Sequence, residues 1–464
     1  MAKKLRVRVK SSILVQPAEA ELGRGSSSSI ALSDFDLVGN LGHVPSIHFH
    51  RPSQNWLSPP HIMFHTLRAS LAQLLVPYYP LAGRLRPLGG GRFEIVCNGA
   101  GALLVDAEAD LSITMDEVSE SDYLHLTPHL DIAATTLETF PLAAAQITRF
   151  ACGGVTLAFA LSHAVLDGRS STEFVRQWGR LARGEPLEGH PAIDRSLLVN
   201  LGRSESLMPM PIPPEFELKA GGGVESSSSS PAPLLMPCSM VTISMTEFQV
   251  EALRRKANEG GGNGAPLFTR FEAITVHIWR CACRAWECKA TRVSVPVDFR
   301  RQMGLPKMYV GNGVLDVVAA CAGTATDTLS SAAGKLREAI RKVDREYLTR
   351  TAAYLKSVED LSCFQDDDGK AAAHRVPTVL VTSWLSGVFG DVDFGWGREF
   401  YMSPVNYGHE GECVILPGKG NSDSNSSINK SIDVKVCLQD RHLEAFKKFF
   451  LQELSTPDPP RPRL

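Results

Sequence analysis

His163 and Asp167 stand in the run His163-Ala-Val-Leu-Asp167-Gly168. The apolar stretch Val155 to Leu161 precedes them, and Arg169 to Val175 follows with the pattern of a helix start. A histidine at the end of a buried strand, beside a turn, can be desolvated and held still. An imidazole held in that way suits general-base work near neutral pH. The same pair has a plain structural reading, because His-x-x-x-Asp is common by chance and a tight turn could send the Asp away from the His. A second candidate lies far down the chain, Asp393-Phe394-Gly395-Trp396-Gly397, a tight loop of the kind glycines and Asp favour. Trp384 and Trp396 could line an aromatic pocket, with core packing as the default.

Other chemistries fit the sequence poorly. Cys281, Cys283 and Cys288 are close together, but Cys281 and Cys283 would not share a helix face and no second ligand pair follows, so no metal site is expected. His48 and His50 share a face of an expected strand, which is a weak ligand pair. The glycine run Gly260 to Gly264 lacks the Lys-Ser/Thr of a phosphate-binding loop. Gly-x-Ser-x-Gly is absent, and Ser162 on a strand points to the face opposite His163.

The elements that must position these residues belong to an ordinary globular chain of 464 residues, 44% hydrophobic, with formal net charge -2. Near-zero charge argues against nucleic acid as a partner. Ten cysteines do not make a disulfide scaffold, and neither a secretory leader nor a membrane span is expected, so the protein reads as cytoplasmic with reduced thiols. Strands are expected at Leu5–Lys10, Phe93–Cys97, Ala102–Val105, Val241–Ser244, Thr378–Thr382, Cys413–Leu416 and Val434–Leu438. Ala145–Ala151 and Val155–Leu161 read as a hairpin that delivers His163. Helices are expected over Pro60–Leu75, Glu173–Leu181, Thr246–Ala257, Thr269–Trp286, parts of Leu329–Phe364, and His442–Leu451. Between about 196 and 236 the Pro-, Gly- and Ser-rich composition reads as a crossover linker. The domain reading is therefore 1–195, linker 196–236, and 237–464.

Taken together, His163-x-x-x-Asp167-Gly168 and Asp393-Phe-Gly-Trp-Gly397 resemble the plant BAHD acyltransferases, which take acyl groups from CoA thioesters. Pro77 to Arg84, Val297 to Arg300 and Tyr309 to Asn312 also look like family elements, so the resemblance spans essentially the whole chain. Within the family, His43 to Pro52, Leu181 to Pro186, Ser383 to Leu385 and Leu443 to Phe450 look most like the spermidine hydroxycinnamoyl transferases. The shikimate/quinate hydroxycinnamoyl transferases are the nearest competing group. They are known for an arginine that grips the acceptor carboxylate, where this chain has Gly369 beside Asp366, Asp367 and Asp368. A loop of different length could bring Arg375 to that role. Asp298-Phe299-Arg300 and the stretch Gly387 to Gly390 depart from the family pattern.

The resemblance implies a mixed α/β (α+β) fold of two similar-sized domains, of the chloramphenicol acetyltransferase-like, CoA-dependent type, with a channel between them. It implies transfer of a hydroxycinnamoyl group from CoA to a polyamine such as spermidine, with His163 as general base. The alternatives are O-acylation of shikimate, quinate or another alcohol, and a non-catalytic relative that binds CoA esters. His163 and Asp393 are the candidate catalytic residues, although Asp393 is expected mainly to hold its own loop. Asp167, Gly168, Phe394, Gly395, Trp396, Gly397 and Arg300 are expected to be structural, with Arg300 as the partner of Asp167. Thr382, Trp384 and Asp366 to Asp368 are expected to meet substrate. Trp396 and nearby backbone amides are candidate oxyanion donors. No cofactor is expected, since acyl-CoA is a co-substrate. The partners are the small-molecule acyl-CoA donor and an amine or alcohol acceptor, with neither nucleic acid nor membrane, and the protein is expected to be a monomer.

Overall fold

Every residue of Val155–Ser162 is buried, as in a strand covered on both faces. This strand is near the centre of one of two sheets that organise the chain. The computed structural model describes residues 5–18, 28–52, 62–110, 112–130, 136–203, 212–217, 237–259, 267–288, 290–322, 327–366, 376–385, 392–405, 408–419 and 431–454. In chain order the main strands are β1 (Val7–Val15), β2 (His43–His50), β3 (Ala102–Ala109), β4 (Ala143–Arg149), β5 (Val155–Ser162), β6 (Cys238–Met245), β7 (Ala290–Asp298), β8 (Val314–Ala322), β9 (Thr378–Ser383), β10 (Tyr401–Pro404), β11 (Glu412–Pro417) and β12 (Ile432–Gln439). One six-stranded sheet has the order β1-β3-β4-β5-β2-β10, and the other β6-β12-β11-β9-β7-β8.

The expected hairpin is β4–β5, antiparallel, with Ala143 opposite Leu161. Helix α1 (Met63–Leu74) and helix α2 (Gly168–Ala182) accompany the first sheet. Helix α3 (Arg270–Ala285) and helix α4 (Asp440–Leu454) accompany the second. Thr269 caps α3 in a reciprocal box with Glu272, which fixes the start of the long apolar run through Ile274, Ile278 and Trp279. Phe446 and Phe450 of α4 join the same buried cluster as Val381, Ile415, Val434 and Val436.

Three features depart from the sequence reading. Strands β7 and β8 pair along their full length but fall in stretches that periodicity passes over. The limits 1–195 and 237–464 follow chain order, whereas β10, from the C-terminal half, pairs with β2 and closes the first sheet. The 196–236 segment is not linker throughout. Ser196–Asn200 is a short helix, and Leu198, Leu201 and Phe216 are buried. Residues 204–211 and 218–236 lie outside the described set. Among the described residues no helix is long and apolar enough to cross a membrane.

Candidate active site

β5 ends at Ser162, and the chain turns at once. His163 is half-buried and its flanking backbone is tied on both sides. Its N–H donates to the Gly42 carbonyl at 2.8 Å, and its carbonyl accepts from Asn312 Nδ2 at 2.6 Å. Two residues on, the Val165 carbonyl accepts from Arg195 Nη2 at 2.9 Å. Arg195 in turn forms a buried ion pair with Asp36 at 2.7 Å, and Asp36 Oδ1 accepts the Asn312 N–H at 2.9 Å. The turn that presents the imidazole is thus gripped from three distant parts of the chain.

Asp167 faces away from that role. Its carboxylate caps α2 by accepting the Ser170 N–H at 2.9 Å, and it accepts the Gly313 N–H at 2.9 Å. It pairs with Arg300 at 2.7 Å, and both side chains are nearly inaccessible, 1% and 4%. Burial alone would push the Asp167 carboxyl up, but Arg300 and the two backbone donors hold it below the usual carboxylate range. Burial likewise works against the Arg300 charge, and Asp167 outweighs it, raising the guanidinium pKa. A Cβ at Gly313 would lie 2.6 Å from Arg300 Nη1, so glycine is what lets the guanidinium pass. At Gly168 a Cβ would meet nothing within 4 Å, and nothing in the structure explains the glycine there.

The Asp393 loop is a self-contained turn. Asp393 Oδ1 accepts from the N–H groups of Gly395, Trp396 and Gly397 at 2.7, 3.1 and 3.0 Å. Gly395 and Gly397 adopt φ of 92° and 81°, a region that favours glycine. The Asp393 carbonyl accepts from Arg183, and a Cβ at Gly179 would lie 2.6 Å from it. Phe394 packs edge-on against Trp178 at 5.4 Å and stacks with Trp396 at 5.6 Å. Helix α2 therefore joins the two motifs: Asp167 caps its start, and the Asp393 loop clamps its last turns. At 1.5 Å per residue, Gly179 lies about 17 Å along the axis from the first turn. The Asp393 carboxylate is thus engaged through Oδ1 by its own loop, next to the last turns of α2.

His48 and His50 are both buried on β2. His48 lies 3.6 Å from Glu399, and His50 Nδ1 is 3.3 Å from the Gly397 carbonyl. Burial pushes His50 down to about 4, although the nearby Glu399 acts the other way. The pair supports the Asp393 loop. Cys281 and Cys283 are buried in α3, and among the described residues no His, Cys, Asp and Glu group is arranged to hold a metal.

Of the expected substrate residues, Thr382 is the last but one of β9, and Trp384 follows just past the strand's end. Trp384 packs with Met402 of β10 and with Val414 and Leu416 of β11. The backbone of Asp366 pairs with Asn40, close to the Gly42 carbonyl that holds His163. Asp367, Asp368 and Arg375 lie outside the described residues. Sequence reasoning missed Asp36, Arg195 and Gly313. Asp36 and Arg195 come together only in the folded chain, and no local spacing announces them.

Two mixed sheets with a histidine turn at the end of a central strand define the CoA-dependent acyltransferase class of fold. The vinorine synthase structure superposes with a TM-score of 0.70 at 19% identity, covering 96% of this chain and 98% of that one. F. graminearum TRI101 complexed with coenzyme A and T-2 mycotoxin gives 0.70 at 16% identity, covering 91% and 97%. The Transferase family model matches residues 5–452. The chain is 31% identical to hydroxycinnamoyl-CoA:piscidic acid hydroxycinnamoyltransferase of Actaea racemosa, over 97% of this chain and 100% of that protein. It is 31% identical to shikimate O-hydroxycinnamoyltransferase of Nicotiana tabacum, over 96% and 99%. It is 32% identical to a hydroxycinnamoyl-CoA:5-hydroxyanthranilate N-hydroxycinnamoyltransferase of Avena sativa, over 96% and 99%. The chain belongs to this family, the BAHD acyltransferases, and is an acyl-CoA-dependent acyltransferase.

Proposed function

We propose that the protein moves a hydroxycinnamoyl group from its CoA thioester to a polyamine such as spermidine, with His163 as general base. The observation that carries the base assignment is the half-buried imidazole on a turn fixed through the His163 and Val165 carbonyls. Asp167, the nearest carboxylate in sequence, is committed to Arg300 and leaves the imidazole free to take a proton. A thioester carbonyl is electrophilic enough to be attacked directly. Neutral His163 removes the proton from the acceptor nitrogen as its lone pair attacks the carbonyl carbon. The tetrahedral intermediate then collapses, the C–S bond breaks, and the imidazolium returns its proton to the departing CoA sulfur. Thr382 and Trp384 contribute to the wall that the acyl group meets.

The polyamine reading is supported by Asp366, whose backbone pairs with Asn40 near the His163 turn, at the head of the acidic run Asp366 to Asp368. A second reading, a carboxylate-bearing acceptor, is favoured by relatives named for piscidic acid, shikimate and 5-hydroxyanthranilate. Turnover of p-coumaroyl-CoA with spermidine, putrescine, agmatine, shikimate and quinate separates the two. The proposal expects spermidine to be used with activity rising above neutral pH, as the ammonium loses its proton. It also expects conversion of Asp366, Asp367 and Asp368 to Asn to raise the spermidine KM. Use of shikimate or quinate alone rejects it.

A further inference from the structure

Asn312 is 3% exposed, and its side chain reaches the active-site turn from the other half of the chain. Its Nδ2 donates to the His163 carbonyl at 2.6 Å. That partner settles which way the amide points, because only the NH2 group can donate to a carbonyl. Oδ1 is therefore turned inward, where no hydrogen-bond partner meets it among the described residues. A buried acceptor left unpaired is a cost to folding that few native groups carry. The amide serves the His163 carbonyl at the expense of its own oxygen.

The backbone around Asn312 is fixed from both sides. Its N–H donates to Asp36 Oδ1 at 2.9 Å, and Asp36 Oδ2 in turn accepts from the N–H and the hydroxyl of Ser33 at 2.8 and 2.6 Å. The Gly311 carbonyl accepts from Ser170 Oγ at 3.0 Å and from Arg300 Nη2 at 3.2 Å. The Gly313 N–H donates to Asp167 at 2.9 Å. The flanking bonds therefore anchor the segment to the start of α2 and to the Asp167–Arg300 pair, and the Asn312 side chain carries that anchor to His163. The His163 N–H is already held by Gly42. With Gly42 on one side and Asn312 on the other, both peptide planes flanking the His163 Cα are pinned. Two pinned planes fix φ and ψ, and hence the direction in which the imidazole leaves the backbone.

We infer that Asn312 is a positioning residue for acyl transfer, acting through His163 by fixing the peptide plane on its C-terminal side. The inference rests on the reading of His163 as the base. Asn312→Leu nearly keeps the shape of the side chain and removes the donor and the orphaned oxygen together. Its urea midpoint should stay close to wild type, because one unpaired oxygen is exchanged for the loss of one bond at the His163 carbonyl. Its kcat should fall about 10- to 100-fold, the scale on which a small misplacement of a reacting group acts. KM for p-coumaroyl-CoA and for the acceptor should stay within about threefold, since no binding contact is removed. Asn312→Ala should lower the midpoint by leaving a cavity, yet give the same low kcat per folded molecule. In a His163→Ala background, Asn312→Leu should take nothing more from the residual rate, because the group it positions has gone. A kcat for folded Asn312→Leu within about twofold of wild type overturns the inference, as does a further fall of the same size in the His163→Ala background. A loss of activity that only tracks the folded fraction in both Asn312 variants overturns it too. A folded His163→Ala variant that keeps most of its activity would instead refute the reading of His163 as the base.

Discussion

Replacing Asp167 by Asn separates the architecture of the His163 turn from its chemistry. The substitution keeps the size of the side chain and an oxygen that can still cap α2, so the loss is chiefly the charge facing Arg300. Among the described carboxylates Arg300 would keep Asp298, at 3.4 Å and on a side chain 36% exposed, in place of Asp167 at 2.7 Å, beside its hydrogen bonds to Ser170 Oγ and the Gly311 carbonyl. Removing one partner of a buried pair leaves the other uncompensated, at a cost of about 3–5 kcal/mol. The expected result is a large fall in the urea midpoint. For the folded fraction, kcat should stay within about tenfold of wild type, as for a residue that acts through positioning. The pH dependence is constrained too. The Asp167 carboxyl is depressed in the fold, so its contribution is present above the unfolded value of about 3.9 and is lost only as pH falls through the lower folded value. The stability gap between wild type and variant should therefore be flat from neutral pH down to about 5. Adding Arg300→Met to the Asn variant should recover part of the loss, because the stranded charge goes with it. Unchanged stability with kcat lost as completely as on removal of His163 would refute the reasoning and place Asp167 in the chemistry.

Two further outcomes follow from the far end of α2 and from the buried histidines. Gly179→Ala places a Cβ 2.6 Å from the Asp393 carbonyl, so it should destabilise the protein by about 1–3 kcal/mol, read by thermal unfolding, with the pH–rate profile unmoved. His50 is held neutral down to about 4 by burial, so the unfolded chain binds the proton first as pH falls below about 6.5. Stability should therefore drop between those values, by up to roughly 3 kcal/mol from this group, and His50→Gln should flatten the drop in acid unfolding curves.

The sequence made the hairpin β4–β5, the strand that carries His163, and the Asp167–Arg300 pairing legible for different reasons. The hairpin is written in local apolar runs and a Gly-Gly turn. The ion pair came from family resemblance, since nothing in the spacing of Asp167 and Arg300 points from one to the other. What stayed hidden is held by long-range contact. Asp36 and Arg195 meet only in the folded chain, and β10 joins the first sheet from the second half with no pattern that announces the exchange. In the folded chain α2 stands between the two motifs as a spacer, with the Asp393 loop at its other end.

The most direct test of the account is His163→Ala, assayed for acyl transfer from p-coumaroyl-CoA alongside urea unfolding. Transfer should fall by at least about a hundredfold, the lower range for a general base, with the unfolding midpoint within error of wild type. A folded variant that keeps most of its transfer activity would contradict it.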